Sequence, residues 1–347
     1  MTTTGVEGAV TERRARWERF LRMDGKQAFM HLIAWESWGT ERPWPTAENR
    51  QARIEWAWQV YERRLGLLGT LDDDGLPFLD PYTGTEIFAQ AFGCRVVYPL
   101  DNMPFALPLI DKPMEVSRVQ VPDLDSPSLA LLFDIADELR RRAGPGALMR
   151  LIDVQSPMDI AALIWNKNTF YAAMLDAPEA VIELAHKVKK LLVLFLDAWF
   201  SRYGSSFIAH YPDYYMPAGL TLSEDEVGAV SPQMFERFFL PELAELSNRY
   251  GALGMHCCAS ARHQWQGFLK IPNLKVLNIC QPAGVVAQAH RFFAAICAQQ
   301  HLPPESWDVS QVTPSQFPSG AHVVLTSAVK SQEDALRCSA AFHRAFR

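Results

Sequence analysis

His256 and Cys258 are the pair in this chain whose types and spacing point most directly to chemistry. They stand two apart in Gly254-Met-His-Cys-Cys258, a short apolar run that reads as a strand. Successive side chains on a strand point to opposite faces, so His256 and Cys258 share one face and Cys257 takes the other. At the C-terminal end of a strand in an α/β barrel, the inward face looks into the mouth where active sites are built. An imidazole and a thiolate held there are good ligands for zinc, which binds nitrogen and sulfur tetrahedrally and leaves a position for substrate. A thiol joining such an ion is held as its thiolate and is nucleophilic at neutral pH. The same pair also suits a buried cysteine beside a hydrogen-bonded histidine, so a third ligand decides between the two readings.

Cys280 ends the next strand-like run, Leu274 to Cys280, and should project at the same mouth from the neighbouring position. Glu224, Asp225 and Glu226 follow another short strand and offer carboxylates from the other side. Glu226 is the second candidate for the missing ligand, and Asp225 is a candidate proton carrier. The same acidic run also fits a solvated turn ahead of the helix that Ser231-Pro232 opens. Cys94, Cys297 and Cys338 read as structural thiols. Asp80, Tyr82 and Glu86 follow the second strand; Asp80 is a candidate acid or base, and Tyr82 and Glu86 are candidates for substrate contact. His210 and Tyr214, in His-Tyr-Pro-Asp-Tyr-Tyr, lie near a strand end as a candidate proton carrier and a candidate substrate wall.

These residues need a scaffold that brings strand ends together. Residues 1–25 read as an N-terminal helical extension packed outside the core. Phe29 to Ala34 reads as the first strand, 48–67 as a helix with apolar positions at helical spacing, and Leu76 to Asp80 as the next strand. Residues 100–125, rich in Pro and Asp, form a long connection at the rim. A β-rich run follows from Ala147 to Val154. Asp176, with Glu179 three residues on, reads as the cap of a helix running to Tyr203 and stopping at Gly204. Strands at 254–258, 274–280 and 322–327 are each followed by a helical stretch. This alternation predicts an α/β fold with a parallel sheet, closed as a (β/α)8 TIM barrel over residues 26–347.

The formal charge of −6 is combined with scattered basic residues, which argues against a nucleic-acid or anionic-membrane surface. The most apolar run, Leu191 to Leu196, is far shorter than the roughly 20 residues a bilayer span needs. The N-terminus lacks a basic segment followed by an apolar stretch, so no signal peptide is expected. The six cysteines show no extracellular spacing, and reduced thiols in a cytoplasmic protein are the expectation. A small-molecule substrate fits this surface, and a homo-oligomer is compatible with it.

Several segments carry a resemblance. Asp80-Pro-Tyr-Thr-Gly84-Thr-Glu86 with its continuation to Gly93, Gln155-Ser-Pro-Met-Asp159, Asp176-Ala-Pro-Glu179, Ser231-Pro-Gln-Met-Phe235 with Leu240-Pro241, and Gly254-Met-His-Cys-Cys258 together resemble the uroporphyrinogen decarboxylase superfamily. The similarity runs from about residue 26 to the end, and it rests on the order and spacing of the motifs. It implies a (β/α)8 barrel and two branches of activity: a cofactor-free decarboxylase, and zinc-dependent methyltransferases that pass a methyl group from a corrinoid protein to a thiol. His256 and Cys258 match two zinc ligands of the second branch. The Arg-rich N-terminal motif of the decarboxylases is replaced by Met30-His-Leu-Ile-Ala-Trp-Glu-Ser-Trp38, which argues against a porphyrinogen.

The methyltransferases take their third ligand from the last barrel strand, where this chain has Ser327 about where that cysteine belongs. Ser327 is therefore assigned to substrate contact, and Cys280 is expected to complete the zinc site, with Glu226 behind it. No Asp-x-His-x-x-Gly cobalamin motif is present, so a methyl-corrinoid is expected to arrive on a partner protein. A metal-free lyase using Asp80, His210 or Asp225, and a barrel without catalysis whose mouth is filled by bulky side chains, are the alternatives.

Overall fold

In the computed structural model, which describes residues 3–82, 84–99, 102–301 and 311–347, apolar strands alternate with helices around one large core. The strands are β1 (Phe29–Trp35), β2 (Phe78–Leu79), β3 (Val96–Val97), β4 (Phe105–Ala106), β5 (Leu148–Arg150), β6 (Phe207–Ile208), β7 (Tyr215–Met216), β8 (Leu220–Ser223), β9 (Leu253–Cys257), β10 (Leu274–Ile279), β11 (Ala298–His301) and β12 (Val323–Val329). One sheet runs in the order β1-β12-β11-β10-β9-β8 and is parallel throughout. A second runs β2-β5-β6-β7, parallel except for the β6–β7 hairpin. A parallel bridge between Gln155 and Ser223 joins the two arcs.

The arcs follow each other around a TIM-type α/β barrel with an N-terminal helix. Among the described residues no ladder joins β1 to β2, although the Asp74 amide donates to the His31 carbonyl across that seam at 2.8 Å. Helices cover the outside because strands buried on both faces need apolar cover. Helix Pro178–Tyr203 turns Leu184, Val188, Leu191, Phe195 and Trp199 inward, all buried. Between β7 and β8 the chain turns at Gly219 with φ +101°, and a Cβ there would sit 2.6 Å from the Ala252 carbonyl. Only glycine allows that approach.

Two expectations change, and one strand escaped the sequence. The helix Thr3–Leu21 is not outside the core: Trp17 and Phe20 are fully buried, and Trp17 Nε1 donates to the Asp74 carbonyl at 2.8 Å. Asp176 does not cap the helix after it. It is the last residue of helix Lys167–Asp176, and Ala177 holds the next cap position without a side-chain bond. β11 had no apolar signal because it is Ala-Gln-Gln-His, with Gln299 and Gln300 buried. Ser231, by contrast, caps its helix as expected, accepting from the Met234 amide at 3.2 Å.

Candidate metal centre

β9 and β10 lie side by side, with His256 opposite Asn278 and Cys257 opposite Ile279. The Cys280 amide continues the ladder by donating to the Cys257 carbonyl at 3.0 Å. Alternation then places His256, Cys258, Asn278 and Cys280 on one face. Cys257 faces the other way, buried beside Trp265 and Phe268. One ligand atom from each of His256, Cys258 and Cys280 lies within 4.8 Å of the other two. Two sulfurs and an imidazole are a donor set that zinc prefers, and three protein ligands leave one position for substrate.

The tautomer of His256 fits the same role. Its Nδ1 is hydrogen-bonded to Asn278 Oδ1, and an amide oxygen can only accept, so Nδ1 carries the proton. The lone pair of Nε2 is left facing Cys258 Sγ at 3.0 Å. A partner on the non-ligating nitrogen is how metal-binding histidines are usually fixed. Burial lowers the His256 pKa, but the hydrogen bond and charge of Cys258 outweigh it and the net shift is upward. Between the cysteines, a hydrogen bond from Cys258 holds the Cys280 thiol down and pushes Cys258 up, so Cys280 is the readier thiolate.

The surrounding loops lock this arrangement. Asp225 Oδ1 accepts the Cys258 amide at 2.6 Å. Gln281 Nε2 donates to the carbonyls of both Cys258 (2.6 Å) and Cys280 (2.9 Å). Asp225 is itself placed by Asp159, whose carboxylate accepts the amides of Asp225 (2.7 Å) and Glu226 (3.0 Å). Burial pushes Asp159 up to about 7 and Glu224, hydrogen-bonded to it, well above its ordinary range. Burial of two carboxyls side by side disfavours the doubly ionised pair.

A cavity of about 480 Å³ opens at the mouth, lined among others by Trp35, Trp38, Trp56, Arg64, Arg150 and Tyr211. Tyr211 is shared by cavity and cluster: its ring stands 5.0 Å from that of His256. Arg64 lies over Phe78 (3.6 Å) and Trp38 (5.1 Å), and among the described residues it has no carboxylate at ion-pair distance. Burial pulls its pKa down to about 10, so it stays cationic at neutral pH.

Several candidates fall away. Asp80 is buried between Arg53 (3.1 Å) and Arg150 (2.9 Å). Burial raises its pKa, but the two arginines outweigh this and hold it at about 2, so it carries no proton near neutrality. Glu226 is turned to Lys167 (2.5 Å) and Tyr171, away from the sulfurs, and is no ligand. Ser327 faces outward: its Oγ meets His31 Nε2 at 2.9 Å, and His31 stacks on Phe342 of the C-terminal helix. Its neighbour Thr326 lines the cavity instead, because a step of one residue reverses the face. Tyr214 is fully buried beside Trp17 and Gly254, closing the opposite end of the barrel.

Tyr82 donates to Glu86 at 2.7 Å, and the buried pair lies outside the cavity lining. His210 is near the cluster, its ring 6.2 Å from that of His256, with Nε2 at 3.0 Å from Ser223 Oγ and 3.3 Å from Asp153. Burial pushes its pKa to about 4, so it is neutral. Asn278, Gln281, Tyr211 and Arg64 were not singled out from the sequence. Asn278 had a signal there, since Asn278-Ile-Cys280 repeats the spacing of His256-Cys-Cys258 on the next strand.

A family profile described as Uroporphyrinogen decarboxylase (URO-D) matches residues 82–299. The solved structure of a methyltransferase from Methanosarcina mazei superposes with a TM-score of 0.70, covering 96% of this chain and 98% of that one at 11% sequence identity. At that identity the likeness speaks for the fold. No curated protein matches the chain.

Proposed function

The chain belongs to the uroporphyrinogen decarboxylase family, and from that premise we propose that it is a methyltransferase-like enzyme using zinc to pass a methyl group from a corrinoid to a thiol or similar nucleophile. The observation that carries the reading is the convergence of His256, Cys258 and Cys280 within 4.8 Å beside a large cavity. Zinc in that position would keep an acceptor thiol as its thiolate. Asn278 holds the Nδ1 proton so that Nε2 remains a donor atom, and Gln281 and Asp225 keep the strand ends in place. Tyr211 and the tryptophans of the cavity wall shield the reacting sulfur from water, and Arg64 offers a counter-charge to an anionic tail on the acceptor. The chain has no cobalamin motif of its own, so the methyl-corrinoid would come on a partner protein docked over the mouth.

Reduced cysteines at the site suit a cytoplasmic protein. Among the described residues no helix is long and apolar enough to cross a membrane. The lyase alternative loses Asp80 as a general acid, because its two arginines keep it ionised. The sign of a non-catalytic barrel, a mouth filled with side chains, is missing where the cavity lies.

The test is metal analysis of protein purified without added zinc, followed by methyl transfer from free methylcobalamin to small thiols. About one zinc per chain is expected, with most of it lost in Cys258→Ala and Cys280→Ser and retained in Cys338→Ser. Wild-type protein without zinc, or zinc that survives in a His256→Ala, Cys258→Ala double variant, would overturn the assignment.

A further inference from the structure

Cys94, Cys257 and Cys297 are buried, Cys338 lies half-buried in the C-terminal helix, and at the barrel mouth Cys258 is exposed with half-buried Cys280 beside it. The register that sets His256 against Asn278 and Cys257 against Ile279 makes Cys280 the cross-strand neighbour of Cys258. Adjacent strands run about 4.8 Å apart, inside the Cα separation of about 4.4–6.8 Å that disulfides span. The two sulfurs belong to the cluster whose atoms all lie within 4.8 Å. Gln281 donates one amide group to the carbonyls of both cysteines, so the two strand ends cannot drift apart freely.

We propose that Cys258 and Cys280 form a reversible intramolecular disulfide when no metal holds them, making the centre a modification site as well as a metal site. The oxidant is a low-molecular-weight disulfide. One of the two cysteine sulfurs attacks it, forming a mixed disulfide and releasing one small thiol, which takes up the proton that this cysteine gives away. The other cysteine then attacks the modified sulfur and displaces the second small thiol, which takes the second proton. Two protein thiols are oxidised and one small disulfide is reduced to two thiols. The two states exclude each other, because sulfurs bonded together have no thiolate charge to give a zinc ion. This goes beyond the methyl-transfer reading and holds whatever the acceptor is.

The experiment treats the whole chain with oxidised glutathione, once as purified or zinc-loaded and once after a chelator has stripped it. Thiols are then counted under denaturing conditions and the peptides mapped by mass spectrometry. The stripped protein should lose two of its six thiols, yield a cross-linked peptide joining 258 to 280, and recover both thiols with dithiothreitol. Zinc-loaded protein should keep its thiols, and Cys280→Ser should hold glutathione on Cys258 as a stable mixed disulfide. Stripped protein that carries only mixed disulfides, or that joins Cys258 to Cys257 or Cys338, overturns the proposal. So does equal oxidation with zinc bound. Protein that never binds zinc would sink the methyl-transfer reading while leaving the cross-link result fully readable.

Discussion

Asn278 decides which nitrogen of His256 faces the two sulfurs, and it does so with one hydrogen bond. Replacing it with alanine frees the ring to adopt the other tautomer or rotate. We expect Asn278→Ala to weaken zinc binding by about 10- to 100-fold, measured by competition with a chromogenic chelator. Asn278→Asp should retain or exceed wild-type affinity, because a carboxylate accepts the same proton. Arg64 belongs to the same scale. Its charge in a partly aromatic cavity has no carboxylate partner among the described residues, so an anionic substrate group would complete it. Arg64→Gln should raise KM roughly tenfold for thiols bearing a carboxylate or sulfonate, about 1.4 kcal/mol, and leave neutral thiols unchanged. An equal change for both kinds of thiol would mean that Arg64 only supports the wall.

At the scale of elements, the loop after β8 reaches the His256, Cys258 and Cys280 cluster through buried carboxyls. Asp159 holds the amides of Asp225 and Glu226, and Asp225 holds the amide of Cys258. Glu224 is fully buried beside Asp159, and burial raises both pKa values. The sign follows from linkage. The folded chain keeps a proton that the unfolded chain releases near pH 4, so stability from this pair falls as pH rises through the range up to about 7 and above. Glu224→Gln supplies a neutral donor to Asp159 and removes that loss. Its melting temperature should exceed wild type by roughly 1–2 °C at pH 8, for about 1 kcal/mol, with a smaller gain at pH 5. Melting curves at the two pH values test it; a larger gain in acid would reverse the assignment.

For the whole molecule, the turn Asp72 to Asp74 ties both ends of the chain to the barrel. Asp74 is fully buried and meets Arg16 of the N-terminal helix at 2.8 Å, Arg347 at 2.6 Å and the His31 amide at 2.8 Å. Arg13 adds a pair with Asp73 at 2.7 Å. Asp74→Ala leaves Arg16 without its closest buried counter-charge, at a cost of about 3–5 kcal/mol. A lower urea midpoint and faster proteolysis of the first 21 residues are the expected outcomes. An unchanged midpoint would show that apolar contacts of Trp17 and Phe20 suffice to seat the helix.

The sequence by itself determined those features that rest on local periodicity. Alternation put His256 and Cys258 on one face and Cys257 on the other, the apolar runs marked β1, β9, β10 and β12, and strand order brought Cys280 to the same mouth as His256. Each follows from the two-residue repeat of a strand, which neighbours along the chain already define. Only the tertiary structure decided which charges meet. Asp80 and Arg150 are 70 residues apart, and Glu226 and Lys167 are 59 apart, so no local pattern shows that the first is locked as a carboxylate or that the second is turned from the sulfurs. The facing of Ser327 was lost by a single residue of register, since Thr326 rather than Ser327 points into the cavity. A strand pattern sets the alternation but not its phase against the barrel interior, which the packing of β12 between β1, β11 and the C-terminal helix settles.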